Sequence, residues 1–296
     1  MLSDTVPEAS TADDKTVPPA EEKNSKGSAL LSEIKGLLWV LLAVLAFHSL
    51  VAKPFYIPSE SMMPGLLTGD RLVVTKYPYG WSWVSPSFHI IGPMKGRLFG
   101  HMPKRGDIVI VTPPGTRTDY IKRVIGLPGD TLRMVHGQLY INGQAVKRQA
   151  LPARMIPVDP NLPCGSPLDD KLRPYRTTGS NGQMYCRVPI VRETLPGGRT
   201  YDTIDLGPSQ EDNFGPQVIP SGHVWLMGDN RDDSADSRID SWSGGLGGPV
   251  PWENIGGRAE FITFSLDGST KWYNPLTWIP AFRSGQMSRV LIADCS

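Results

Sequence analysis

The chain has 296 residues, 30 Lys plus Arg against 29 Asp plus Glu, and a formal net charge of +1. That balance, with no arginine-rich run, argues against a nucleic-acid partner. Glycine (31) and proline (28) together make about a fifth of the chain, which suits turn-rich β structure better than a helical bundle.

Residues 1–33 are rich in Glu, Asp, Lys, Ser, Thr and Pro and carry few large apolar side chains, so they are expected to be disordered. From Gly36 to Ala52 no side chain is formally charged if His48 is neutral. A run of roughly 17–20 apolar residues is the short end of a membrane-spanning helix, and an anchor is expected over 34–53. A cleaved signal peptide fits less well, because the run starts far from the N-terminus and places Leu50 where a small residue is preferred. A buried core helix would show an apolar stripe, whereas here every face is apolar. Lys15, Lys23, Lys26 and Lys35 precede the run and Lys53 follows it, which leans towards a cytoplasmic N-terminus and an extracytoplasmic body.

Past the anchor, short runs rich in Val, Ile, Tyr and Phe recur between turn signals: Arg71–Lys76, Asp107–Thr112, Tyr120–Ile125, Thr131–Val135, Gln138–Ile141, Val224–Met227 and Arg258–Ser265. Asn142-Gly143 is a hairpin turn signal. The fold expected for 54–296 is mainly β and antiparallel, with a core of about 54–132 and 220–280. A smaller inserted subdomain is expected at about 133–219, a stretch rich in Pro and polar residues. Two aromatic groups, Trp81, Trp83, Phe88, Ile90 and Ile91, and Trp272, Trp278 and Ile279, read equally as core packing or as an interfacial rim. Cys164 and Cys186 bracket a polar loop. They pair if that region faces an oxidising compartment and are ordinary thiols otherwise.

The chemistry is narrowed by elimination. There is no CxxC or zinc-spaced Cys/His group, no GxSxG elbow, no phosphate loop and no dinucleotide fingerprint, so no metal or cofactor is expected. The acidic stretch from Asp232 fails the EF-hand pattern, with Ser237 for the turn glycine and Ser243 for the bidentate glutamate. A serine–lysine pair remains. Ser61 lies in a turn flanked by Pro58 and Pro64, a few residues beyond the anchor, and Lys122 sits in the apolar run Tyr120–Ile125. Serine needs a base during attack. A lysine serves only when neutral, which requires its pKa to fall by roughly three units from about 10.4. Burial in apolar surroundings lowers it in that direction.

Four stretches resemble the boxes of bacterial type I signal peptidase, a membrane-bound serine–lysine endopeptidase. They are Ser59–Pro64, then Gly69-Asp70 with Leu72-Val73-Val74, then Lys122-Arg123 with Gly126–Asp130, and Gly228–Arg238. The resemblance implies Ser61 as nucleophile, Lys122 as general base, and an oxyanion site formed by the Ser61 N–H and the Ser59 hydroxyl. It implies Ser234 as the group that hydrogen-bonds and orients Lys122, with Gly228, Asp236 and Arg238 shaping that loop. Phe55, Ile57, Met62 and Ile121 match positions lining shallow pockets for small side chains, so cleavage after small-x-small sequences is expected. The implied partners are the signal peptides of exported preproteins and the lipid bilayer, and the implied place is the inner membrane. Glu60 departs from the glycine of many members, and the Ile239–Pro249 loop is longer than usual. The rival readings are a relative dedicated to one substrate and a catalytically dead peptide-binding scaffold.

Overall fold

The computed structural model describes residues 23–87, 92–165, 171–271, 273–286 and 288–291. Helix α1 runs Lys23–Leu50. Within it, Ala29–Leu50 is long and apolar enough to cross a membrane, and none of that window is buried. Twenty-two residues at about 1.5 Å each match a hydrocarbon core of about 30 Å. Two sequence expectations need correction. Residues 23–33 are helical and not disordered, because Ala29-Leu30-Leu31 and Ile34 extend the apolar run and helix propagates cooperatively from it. At the other end the helix stops at Leu50, and 52–53 already belong to a strand. Residues 1–22 lie outside the described residues.

The chain divides into two units, 1–44 and 45–296, and the second carries every strand. In chain order these are β1 (Ala52–Tyr56), β2 (Asp70–Thr75), β3 (Ile108–Val111), β4 (Tyr120–Gly126), β5 (Thr131–Val135), β6 (Gln138–Ile141), β7 (Gln144–Ala145) and β8 (Lys147–Pro157). They continue as β9 (Arg176–Thr178), β10 (Met184–Thr194), β11 (Thr200–Ile204), β12 (Phe214–Val218), β13 (His223–Met227), β14 (Val250–Pro251) and β15 (Ile255–Ser265). The largest sheet has the order β1-β2-β15-β3-β4-β13-β14, with antiparallel pairing throughout. A second sheet orders β11-β10-β8 with β9 on β10, and a third orders β12-β5-β6-β7. The expected Asn142-Gly143 turn closes β6 onto β7, both residues taking the positive φ that such a turn requires.

Period-2 alternation puts both faces of the large sheet to use. On β3, Ile108 and Ile110 join a cluster with Ile57, Met62, Leu66, Leu72 and Ile121, while Val109 and Val111 join Val124, Leu226 and Ile255 on the other face. The strands around Lys122 are therefore covered on both sides. The second sheet encloses a core built on Leu162, Val188, Ile190 and the bonded pair Cys164–Cys186. Of the aromatic groups, Trp83 is buried, Trp278 and Ile279 are exposed, and Phe88, Ile90, Ile91 and Trp272 lie outside the described residues.

The second sheet is fastened to the segment after β13. Ile204 N–H donates to Asp229 O at 2.9 Å, and Arg231 N–H donates to Ile204 O at 2.9 Å. Arg231 also forks onto the fully buried Glu193 of β10, Nη1 to Oε1 at 2.9 Å and Nη2 to Oε2 at 2.6 Å, while the Tyr201 hydroxyl donates to Oε2 at 2.8 Å. Arg231→Met strands the Glu193 carboxylate in the interior. Urea unfolding of the full chain in detergent should show a loss of about 3–5 kcal/mol, a large share of the roughly 5–15 kcal/mol by which a domain is stable.

Candidate active site

Ser61 follows β1 in a tight turn, in which Met63 N–H donates to Glu60 O at 3.0 Å and Leu66 N–H donates to Met62 O at 2.9 Å. Met62 and Met63 are fully buried and anchor the turn in the cores beneath it. Lys122 stands on β4, 61 residues downstream, paired across to Val109 of β3. Its Nζ donates to Ser61 Oγ at 2.9 Å, and both side chains are buried. Burial drops the Lys122 pKa to about 8. Asp236, Asp233 and Asp229 pull it back up, and Arg238 opposes them. Asp236 is itself held below the usual carboxylate range: burial pushes it up, but the Arg238 ion pair and the hydrogen bonds from Arg238 and from Gly228 N–H outweigh that. The Tyr120 ring lies 5.6 Å from Lys122 Nζ, and its hydroxyl donates to Gly244 O at 3.0 Å.

Three further positions close the site. Ser59 Oγ lies 3.4 Å from Ser61 Oγ at the exposed side. The Ser61 N–H has no acceptor among the described residues. Gly228 is where the Ser61 turn and the 228–238 segment touch: a Cβ there would sit 2.1 Å from Ser234 Oγ and 2.5 Å from Ser61 O. The expected hydrogen bond from Ser234 to Lys122 is not formed. Ser234 Oγ is buried without a partner, and the Lys122 amine is directed at Ser61 Oγ.

A cleft of about 360 Å³ opens onto this pair. Phe55, Ile57 and Ile121 line it as expected, together with Tyr56, Ile110, Thr118, Tyr120, Asp233 and Ala235. Met62 does not: it is swallowed by the core with Leu66 and Leu72, since the turn directs Ser61 to the cleft and its neighbour into the core. The cleft follows a free stretch of strand edge. β13 pairs with β4 only from Arg123 onward, which leaves 120–122 bonded to β3 alone.

The family described as "Signal peptidase, peptidase S26" matches residues 30–264 of this chain. The chain belongs to the signal peptidase S26 family. A signal peptidase I of Rickettsia typhi (strain ATCC VR-144 / Wilmington) is 34% identical over 274 residues, covering 87% of this chain and 91% of its own. That of Rickettsia canadensis (strain McKiel) is 32% identical over 290 residues, covering 92% and 97%. A solved signal peptidase I from Enterococcus faecalis V583 is 22% identical, with a TM-score of 0.27, over 53% of this chain and 97% of its own.

This S26 peptidase also relies on residues that the motif reading passed over. Asn230 N–H donates to Ser61 O at 3.1 Å and its side-chain amide to Glu60 O at 3.3 Å, so one residue braces both sides of the Ser61 turn. Arg123 forks onto Asp229 at 2.7 and 2.6 Å with both groups buried. Their positions within the Lys122-Arg123 and Gly228–Arg238 boxes were the available signal. No group of three or more metal-ligating side chains occurs among the described residues.

Two outcomes follow. Gly228→Ala forces Ser234 and the Ser61 carbonyl apart, and a shift of about 1 Å at a reacting group costs on the order of 10²-fold in rate. Its peptidase kcat/KM should fall by about that factor while the protein stays folded by circular dichroism. Lys122→Met removes a buried amine whose folded pKa lies below its unfolded value, so the native state binds fewer protons in between. The variant should melt higher than the parent below about pH 8, and the advantage should fade as pH rises to about 10.4.

Proposed function

We propose that this enzyme is a signal peptidase I that cleaves signal peptides from exported preproteins after small-x-small sequences. Ser61 is the nucleophile and Lys122 the general base. The observation that carries this reading is the 2.9 Å contact between Lys122 Nζ and Ser61 Oγ in a buried setting. With a pKa of about 8, roughly a tenth of the lysine is neutral at pH 7, against well under a thousandth for an ordinary lysine.

Neutral Lys122 accepts the Ser61 hydroxyl proton as Oγ bonds to the scissile carbonyl carbon. The Ser61 N–H, which has no acceptor among the described residues, and the Ser59 hydroxyl donate to the developing oxyanion. Collapse breaks the C–N bond, and Lys122 returns the proton to the leaving amine. Water then repeats the sequence on the acyl-enzyme, with Lys122 again taking a proton. While Lys122 is an ammonium it has donors to spare, and the orphaned Ser234 Oγ is the acceptor we assign to it. Gly228, Asp236 and Arg238 hold that loop.

The substrate enters as an extended strand along the free edge of β4, which is backbone pairing of the β-augmentation type. The lining by Phe55, Ile57 and Ile121 leaves shallow apolar pockets that suit alanine-sized side chains. Helix α1 anchors the enzyme in the inner membrane with its N-terminus in the cytoplasm, in keeping with the lysines that precede Ala29. The bonded Cys164–Cys186 pair fits a catalytic domain on the oxidising, extracytoplasmic side.

Ser61→Ala and Lys122→Ala should each lower cleavage of an Ala-x-Ala preprotein by at least about 10²–10⁴-fold, and Lys122→Arg should do the same because arginine does not become neutral. The parent kcat/KM should rise with pH to a midpoint near 8. Near-normal cleavage by purified Lys122→Ala would overturn the assignment.

A further inference from the structure

A second cleft, of about 370 Å³, is not used by the chemistry above. Five arginines from separate parts of the fold converge on it: Arg123, Arg154, Arg192, Arg199 and Arg289. Only two carboxylates share its lining, Asp202 and Asp229. Asp229 is consumed by Arg123. Asp202 is divided between Arg154, Nη2 to Oδ2 at 2.6 Å, and Arg192, Nε to Oδ1 at 2.8 Å. Arg199 is paired with Asp107 at 2.7 Å.

Arg289 forms no direct ion pair with a carboxylate among the described residues, although Asp70, Asp202 and Asp229 act on it at longer range. Its Nη1 donates to Gly65 O at 2.9 Å, in the nucleophile turn, and lies 3.5 Å from Gln286 Oε1. Burial is the main cause that lowers its pKa, the charge of Arg154 lowers it further, and the more distant charges of Asp70, Asp202 and Asp229 oppose them. Arg154, Arg192 and Arg289 each keep guanidinium N–H groups with no protein acceptor among the described residues. An arrangement of convergent cationic forks lining one cleft, short of anionic partners, is complementary to a tetrahedral oxyanion with several acceptor oxygens. A single carboxylate accommodates two forks, as Asp202 shows, whereas three or more forks call for a phosphate-type group.

We propose that this cleft binds a phosphate-class anion, either free phosphate or a phosphate-bearing lipid headgroup, held by Arg154, Arg192 and Arg289. The anion would rest behind the nucleophile turn, with Arg289 bridging it to Gly65 O. This goes beyond the cleavage reaction and does not depend on the identity of the nucleophile or base, since its readout is binding.

The test uses the full-length enzyme in uncharged detergent. Inorganic phosphate is titrated against chloride at matched ionic strength and followed by 31P line broadening and by thermal melting. Saturable broadening and a higher melting temperature are expected with phosphate only. Arg192→Gln, at a side chain that is largely solvent-facing, and Arg289→Gln should each raise the apparent Kd at least tenfold. A second arm compares the melting of enzyme reconstituted in phosphatidylcholine vesicles with and without phosphatidylglycerol. A lipid response lost in Arg289→Gln identifies the headgroup as the source, and a response confined to free phosphate identifies the soluble anion. Phosphate and chloride behaving alike in the parent, or both variants binding phosphate like the parent, would overturn the proposal.

Discussion

The structure depends on keeping one amine dry. Lys122 is a cation in water, and the fold removes it from water on a strand covered on both faces, with a serine hydroxyl as its nearest partner. Desolvation disfavours the ammonium, which is what the proposed base role requires of a residue that is ordinarily an acid at neutral pH. The same burial destabilises the native state wherever unfolded lysine is protonated, so stability is exchanged for reactivity at this position. A carboxylate left free beside Lys122 would undo the effect. Asp236 is close enough to raise the Lys122 pKa, and Arg238 both neutralises it and pushes the other way.

That explains why so much buried charge surrounds so small a site. Arg123–Asp229, Arg231–Glu193 and Arg238–Asp236 are all buried ion pairs. Such pairs seldom stabilise a fold more than apolar residues of the same volume. Here they fix direction. Asp229, Arg231, Asp236 and Arg238 belong to the segment that follows β13, and each is tied to a different part of the second sheet, to β4 or to its own loop. Between them Asn230 reaches Ser61 O, and Gly228 permits the close approach of Ser234. The second sheet, remote from Ser61 and Lys122 in sequence, is a buttress for the Ser61 turn.

Much of this was legible beforehand. The seven strand runs that combined β-branched residues with bounding turns all appear, and the Ser61, Lys122 and Gly228–Arg238 stretches converge. Local pattern could not reveal β8, β10 and β11. Their alternation is broken by prolines such as Pro152 and Pro189 and by charged side chains, and they are strands because they pair with one another. Met62 was misjudged for a related reason: adjacency to Ser61 says nothing about which way a turn points its side chains. The expected Ser234–Lys122 hydrogen bond is not formed, since a motif fixes residue identity and not hydrogen-bond partner. The helix start at Lys23 was hidden by polar residues that helix propagation tolerates.

The central claim is that Lys122 is neutral in an appreciable fraction of the enzyme near neutral pH. The direct measurement is the 15Nζ chemical shift of Lys122 in lysine-labelled, full-length enzyme, assigned by its loss in Lys122→Arg and followed across pH. The account predicts a single titration centred near pH 8, far below the other lysines around it in the spectrum. A Lys122 signal that stays in the ammonium range until above about pH 10, as in an ordinary lysine, would contradict it.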